Sequence, residues 1–357
     1  MCDGKDTLLI FMPCLEYGGA EKQFRLLRNG LVAKNVHVIT ILTDSDVADL
    51  DTIVSKNKIY SIGAKGNFLS KEWEIYKIVK RILKNHKVQF AIVYDKYAQF
   101  AIPILKKFGI KTLFSERNSG EHEHWISRKM ICMADLITAN SFNAVMEMHR
   151  YVNKDVYYIP NGVEIEETHN EPMVHFEKSG RIKIVVPARI APVKNQMLVI
   201  KALKDMTDIE VHFVGKISDD AYHKEIKACI ERYQQNEKFI YDGFVTDMKS
   251  YYKNYDVVLL PSISEGTSNV ILEAFANQIP CIASDIEMNN RVVPRKELLF
   301  KSDCAESLFN TLSSIISMEQ TDLKIILNDC FNFVKNNYSI DRMVDSYWEL
   351  IKNGIFK

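Results

Sequence analysis

The residues with most chemical potential fall in one stretch: Pro261-Ser262-Ile263-Ser264-Glu265-Gly266-Thr267-Ser268-Asn269-Val270-Ile271-Leu272-Glu273-Ala274-Phe275-Ala276. Glu265 stands in a loop, and Thr267 or Ser268 can cap the helix that follows. The N–H groups around that helix start, over Gly266, Thr267, Ser268, Asn269 and Val270, point outward and form a seat for an anion. Glu273 lies about 6 to 9 Å further along the helix, at about 1.5 Å per residue. Two carboxylates therefore flank an anion site. A nucleotide sugar has hydroxyls on both sides of its diphosphate, so one glutamate can bind the sugar and the other the ribose. The competing reading is a capped helix with Glu273 on its surface. Against it, Glu273 sits among Ile271, Leu272, Ala274 and Phe275, on a helix apolar enough to be largely buried, where a carboxylate needs hydrogen-bond donors.

A second cluster is Pro187-Ala188-Arg189-Ile190-Ala191-Pro192-Val193-Lys194-Asn195-Gln196, which passes from a strand into a helix. The fork of Arg189 and the point charge of Lys194 can hold a diphosphate and neutralise the charge that grows on it as it leaves. Near the N-terminus, Gly18-Gly19-Ala20-Glu21 makes a similar strand-to-helix passage. Paired glycines let the backbone approach a bulky anion there, although taken alone they read first as a plain turn. Two further patterns read as surface. Asp44-Ser45-Asp46 has the Asp-x-Asp form of a metal site but reads as a polar turn, and His122-x-His124, with Glu121 and Glu123, reads as a solvated loop. No metal is assigned.

Such sites need a scaffold that presents strand ends. Short apolar runs alternate with segments of helical period throughout, the pattern of α/β units around parallel sheets. In the first half, strands are expected at residues 8–12, 37–42, 59–62, 90–94, 112–115, 136–139 and 156–159. Helices are expected at 20–33, 71–85, 97–108 and 142–151. A polar stretch at 164–180, with five Glu and Pro172, then breaks the alternation and marks a domain boundary. The second half restarts with strands at 182–187, 210–214, 239–241, 257–260 and 281–284. Between them lie helices at 195–204, 220–234, 247–252 and 268–277, and three helical stretches finish the chain. Two α/β halves facing each other across a central cleft can grip one ligand from both sides, because open parallel sheets bind ligands beyond the carboxyl ends of their strands.

At 357 residues, 47% hydrophobic and 26% charged, the chain suits two globular domains. Its seven cysteines are scattered and never spaced as Cys-x-x-Cys, which argues for a reducing, cytoplasmic setting and against a disulfide framework or zinc cage. No window approaches the length of apolar sequence that spans a bilayer, so any membrane contact is expected to be peripheral. Residues 1–160 carry 23 basic and 17 acidic groups, and residues 161–357 carry 23 and 29. A basic first half can face phosphorylated or membrane-bound partners. Residues 71–87 join Lys71, Lys77, Lys80, Arg81, Lys84 and Lys87 to Trp73, Tyr76, Val79, Ile82 and Leu83. That is either an interfacial basic helix or an ordinary outer helix of an α/β domain.

Taken together these motifs resemble glycosyltransferase family 4, of the GT-B fold. The features that match are Gly18-Gly19-Ala20-Glu21, Asn161-Gly162-Val163, Arg189 with Lys194-Asn195-Gln196, and Glu265 with Glu273. Gly243-Phe244 with Asp247-Met248, and Ala283-Ser284-Asp285-Ile286, also match, in family order across nearly the whole chain. The resemblance implies a Rossmann-like acceptor-binding domain at 1–165 and a nucleotide-sugar-binding domain at 180–337, with 338–357 packing back on the first domain. It implies that Arg189 and Lys194 hold the donor diphosphate, Glu273 the ribose and Glu265 the transferred sugar. Transfer would be retaining and metal-independent, with no cofactor beyond the nucleotide sugar, a UDP-sugar.

Many relatives place a His in the loop after the strand at 112–115, whereas this chain reads Ser115-Glu116-Arg117-Asn118. That variant resembles a subgroup assembling bacterial surface polysaccharides and lipid-linked oligosaccharides. It makes Arg117, with Asn118 and Glu116, the candidate sugar or acceptor contacts. The expected partners are the nucleotide sugar, a lipid-linked saccharide acceptor and the inner face of the cytoplasmic membrane, with no nucleic acid. The alternatives are an inactive donor-binding partner subunit, or a nucleotide-sugar epimerase or hydrolase of the same fold.

Overall fold

The computed structural model describes residues 7–13, 18–43, 59–62, 68–94, 98–118, 120, 122, 124–166 and 180–356. Asp44-Ser45-Asp46 lies outside them, as do Glu121, Glu123 and most of the polar stretch expected as a linker. The chain divides into two units, one of residues 1–162 with 340–357 and one of residues 163–339.

The first unit is a seven-stranded parallel sheet. Its strands are β1 (Thr7–Met12), β2 (His37–Leu42), β3 (Ile59–Ser61), β4 (Val88–Tyr94), β5 (Lys111–Glu116), β6 (Leu136–Ala139) and β7 (Val156–Tyr158), in the order β3-β2-β1-β4-β5-β6-β7. Every residue of β1 is buried, as expected of a central strand covered on both faces. Helices α1 (Gly19–Ala33), α2 (Phe68–Leu83), α3 (Ala101–Lys107), α4 (Trp125–Cys132) and α5 (Phe142–Met148) connect the strands. Ile75 and Val79 of α2, Ile102 of α3 and Met148 of α5 pack on one face. Phe24 and Leu27 of α1 pack on the other.

That second face is shared with the helix Ile340–Phe356, whose Met343, Val344, Tyr347 and Ile351 are buried against the sheet. Gly30 makes the approach possible, since a Cβ there would lie 2.3 Å from a Val344 methyl. Tyr347 also shares a 2.6 Å hydrogen bond with Ser115 at the carboxyl end of β5. Burying that hydroxyl without a partner would cost more than the bond contributes.

The second unit holds six parallel strands: β8 (Ile182–Pro187), β9 (Ile209–Val214), β10 (Phe239–Gly243), β11 (Val257–Leu260), β12 (Cys281–Ser284) and β13 (Leu299–Phe300), ordered β10-β9-β8-β11-β12-β13. The order reverses between β8 and β11, which pair through Val257↔Ile184 and Val258↔Val185. Its helices are α6 (Gln196–Leu203), α7 (Asp220–Arg232), α8 (Met248–Tyr252), α9 (Asn269–Ala276), α10 (Glu287–Val292), α11 (Ala305–Ile316) and α12 (Gln320–Tyr338), and the helix Ile340–Phe356 is α13.

The α/β architecture read from the sequence is present, with some elements added. Helix α4 was not expected, and neither were α10 and β13. Helix α3 starts at Ala101 rather than 97, and α5 ends at Met148. Among the described residues no helix is long and apolar enough to cross a membrane.

Candidate functional site

In the second unit the polar groups gather where β8 and β11 end, at the topological switch where open parallel sheets hold ligands. Beyond β8 the chain turns at Ala188 and Arg189, whose side chain is exposed. Gly215, after β9, lets this turn pass closely: a Cβ there would meet the Ala188 carbonyl oxygen at 2.3 Å. The loop continues as a single 3-10 turn, Pro192–Lys194, and reaches α6 through Asn195 in the left-handed region at φ 52°, a conformation asparagine tolerates better than most residues. Gln196 donates to the Arg189 carbonyl at 2.9 Å and closes the loop on itself.

The loop after β11 is tied to this one twice. Ile263 N donates to the Val193 carbonyl at 2.9 Å. Lys194 Nζ donates to Glu265 Oε1 at 2.6 Å, with side chains 17% and 11% exposed. Two residues assigned to different parts of a ligand thus form a largely sheltered ion pair. Beneath the loop, Ser284 Oγ donates to the Ser262 carbonyl at 2.5 Å, and Asn289 of α10 donates to Ser284 O and Oγ at 3.0 and 3.2 Å. Asn289 is fully buried and was not singled out from the sequence.

Of the two capping candidates, Ser268 takes the position, its Oγ accepting from Ile271 N at 3.5 Å. Helix α9 therefore begins at Asn269, just after Gly266 and Thr267 and four residues beyond Glu265. Glu273 is neither fully buried nor solvated. Tyr252, 1% exposed, lies close enough to feel its charge. Burial, and then the Glu273 charge, push that phenol well above the usual tyrosine range.

In the first unit, Gly18 is extended and Gly19 opens α1, with no side-chain cap. Gln23, one turn along, is buried and holds both backbone polar groups of Gly162: its Nε2 donates to the carbonyl and its Oε1 accepts from the N–H, each at 2.8 Å. The preceding Asn161 accepts a short hydrogen bond from Arg117 and one of 3.4 Å from Asn140.

Arg117 itself is only 7% exposed. It also donates to the Tyr347 hydroxyl at 3.3 Å and lies over the Tyr94 ring, 5.1 Å from its centre. Glu116 is buried too. Its Oε1 accepts from Arg117 N and Asn118 N at 3.1 and 2.8 Å, and its Oε2 lies 2.6 Å from His122 Nε2. Of the three residues expected at a sugar or acceptor, the structure turns Glu116 and Arg117 into the unit and leaves Asn118 exposed. His122 corrects another expectation. Read as part of a solvated loop, it is buried at 6%, edge-on to Phe114 and Tyr151, because Glu116 gives its ring a polar partner inside. Among the described residues no group of three His, Cys, Asp or Glu side chains is placed to hold a metal ion.

Two all-parallel α/β units, with a polar site at the carboxyl strand ends, place the protein in the GT-B class. Its residues 17–167 match the family description Glycosyltransferase Family 4, and residues 168–329 match Glycosyl transferases group 1. The chain therefore belongs to the GT-B glycosyltransferases of family 4 type, as its motifs suggested.

Protein CapJ of Staphylococcus aureus is 26% identical over 203 residues, 53% of this chain and 50% of that protein. The Escherichia coli UDP-Gal:alpha-D-GlcNAc-diphosphoundecaprenol alpha-1,3-galactosyltransferase is 26% identical over 215 residues, 55% of this chain and 54% of the other. The chain thus spans about half the length of the curated relatives it matches. The crystal structure of Anabaena Alr3699/HepE in complex with UDP and glucose superimposes with a TM-score of 0.78 over 97% of this chain and 99% of that one, at 16% identity.

Proposed function

We propose that the chain transfers a hexose from a nucleotide diphosphate donor, a UDP-sugar, to a saccharide acceptor on a lipid carrier, in the assembly of bacterial surface polysaccharide. The observation that carries this reading is the meeting of Lys194, Glu265 and the Ser268-capped start of α9. A cation, a carboxylate and a helix N-terminus converge where a sugar diphosphate presents its anionic and hydroxyl groups. The UDP in the Anabaena structure and the lipid-linked substrate in the Escherichia coli relative's name support the choice of donor and acceptor.

In this reading Lys194 and Arg189 hold the diphosphate and neutralise it as the bond to the sugar breaks, a task that otherwise falls to a metal ion. Glu265 contacts the transferred sugar and Glu273 the ribose. The acceptor oxygen forms its bond on the face from which the phosphate departs, and its proton passes to that phosphate, so configuration is retained. Glu116 and Arg117 act from inside the first domain by fixing the loop that carries Asn118, which faces the acceptor. The exposed Trp73 and Trp125, together with Lys77, Lys80, Arg81 and Lys84, support peripheral contact with the cytoplasmic face of an anionic membrane.

A screen of nucleotide sugars for thermal stabilisation, followed by transfer to a lipid-linked saccharide, tests the proposal. A UDP-sugar should raise Tm by mass action and yield a lengthened glycolipid. Binding with slow hydrolysis or epimerisation, and no transfer to any acceptor, would overturn it.

A further inference from the structure

Glu265 stands at the middle of an arch with little packing of its own: Ile263, Ser264 and Gly266 around it are exposed, while Ser262 and Ser268 at the two feet are buried. The second foot is fixed by the Ser268 cap of α9. The first is fixed through its backbone, because the hydroxyl of Ser262 finds no partner among the described residues. Both polar groups of the peptide joining Ser262 to Ile263 are bonded. Its N–H donates to the Val193 carbonyl at 2.9 Å, next to Lys194, and its carbonyl accepts from Ser284 Oγ at 2.5 Å. Ser284 is a rigid anchor, fully buried at the end of β12, where it still pairs in register with Phe300 of β13. A serine hydroxyl has one proton to give. Asn289 of α10 donates to Ser284 Oγ at 3.2 Å and to the Ser284 carbonyl at 3.0 Å, which leaves the Ser284 proton directed at Ser262.

We infer that Ser284, oriented by Asn289, is a positioning residue for transfer: it fixes the peptide from which the Glu265 arch springs and so sets the register of Glu265 against Lys194. The inference rests on the reading of Glu265 as the group that contacts the transferred sugar. Without the Ser284 hydroxyl, the Ser262 carbonyl is a buried acceptor that has lost its donor, and the peptide is driven to turn. The exposed residues that follow offer no packing to resist that turn. A reacting group misplaced by about 1 Å can cost about 10²-fold in rate, whereas a nucleotide held by other groups loses little. Ser284 and Asn289, both fully buried, act through the loop and not on the ligand.

The test compares S284A, N289A, E265A and the double variant S284A/E265A with the wild type, after melting curves confirm that each is folded. Transfer to a lipid-linked saccharide is assayed with UDP-glucose, UDP-galactose and UDP-N-acetylglucosamine, and UDP binding is measured by calorimetry. S284A should lower kcat about tenfold, the scale of one buried hydrogen bond, and change the Kd of UDP by about twofold or less. N289A, which frees the hydroxyl to turn away, should show the same split at smaller amplitude, and it carries the test if S284A does not fold. In the E265A background, S284A should cost about twofold or less in kcat, because both changes act on one group. A purely structural role would lower Tm and leave kcat intact, weaken turnover and UDP binding together, or add in full to E265A. Any of these results would overturn the proposal. If E265A kept wild-type turnover, or the wild type transferred from none of the three donors, the reading of Glu265 would fail first, and the role of Ser284 with it.

Discussion

Lys194 and Glu265, 71 residues apart in sequence, meet through a 2.6 Å charge-assisted hydrogen bond at the ends of two neighbouring strands. Each side chain therefore holds the other in the conformation in which a sugar diphosphate would find it. In the proposed reading a donor phosphate would compete with Glu265 for the Lys194 ammonium, so that binding would exchange one ionic contact for another instead of desolvating a bare cation.

The two glutamates should separate by role in steady-state kinetics. Glu273→Ala should chiefly raise KM for the donor, since ribose contacts are about equally strong in ground and transition states. Glu265→Ala should chiefly lower kcat, by one to three orders of magnitude, roughly 1.4 to 4 kcal/mol. Lys194→Ala should follow Glu265→Ala, because charge on the leaving diphosphate also grows in the transition state. Full turnover in Glu265→Ala, with none in Glu273→Ala at saturating donor, would reverse the assignment.

If Arg189, Lys194 and the start of α9 take the diphosphate charge as proposed, transfer should persist in excess EDTA. An assay with chelator, and then with added manganese, decides the point. Activity lost to the chelator and restored by the metal would count against this reading.

Membrane contact through the first unit should respond to charge and to aromatic surface separately. Replacing Lys77, Lys80, Arg81 and Lys84 together should weaken co-sedimentation with anionic vesicles and remove its salt dependence. Trp125→Ala removes a side chain 70% exposed and should weaken binding at every salt concentration. Vesicle binding unchanged in both variants would rule out this surface.

Asp135 offers a stability test away from the chemistry. It accepts from Thr112 N at 2.8 Å and pairs with Lys106 at 2.6 Å, bracing β5 against α3. Burial works to raise its pKa, but Lys106 and Thr112 outweigh burial and leave it below the ordinary 3.8. A depressed carboxylate stabilises the fold above its unfolded pKa and loses that contribution as pH falls through the folded value. Asp135→Asn should cost about 1 to 2 kcal/mol at pH 7, and the gap to wild type should narrow below about pH 4. Melting curves at pH 7 and pH 3 would show it; equal gaps at both would exclude the mechanism.

The sheets were legible because buried parallel strands are continuous apolar runs, such as Val257-Val258-Leu259-Leu260 between Asp256 and Pro261. Helix α4 was not, because its pattern is inverted: Trp125 and Ile126 are exposed, and only Met130 and Ile131 are buried. A periodicity argument finds helices by their buried stripe, and this one has almost none. At the site, Glu265, Lys194, Ser268 and Glu273 could be read from local motifs. Asn289, beneath that loop, and Gln23, in the first unit, could not, because each acts on a partner at least five residues away, Ser284 and Gly162, and looks locally like ordinary helix. His122 failed for the same reason, its partner Glu116 being visible only once the loop folds back.

The helix Ile340–Phe356 completes the first unit only after the whole second unit has been made. Until that helix is available, the face of the first sheet formed by Leu8, Ile10 and Phe90, with Phe24 of α1 on it, lacks Met343, Val344, Tyr347 and Ile351. The first unit therefore cannot complete its core before the second has been translated. Its uncovered apolar face is the surface a nascent-chain chaperone would have to shield.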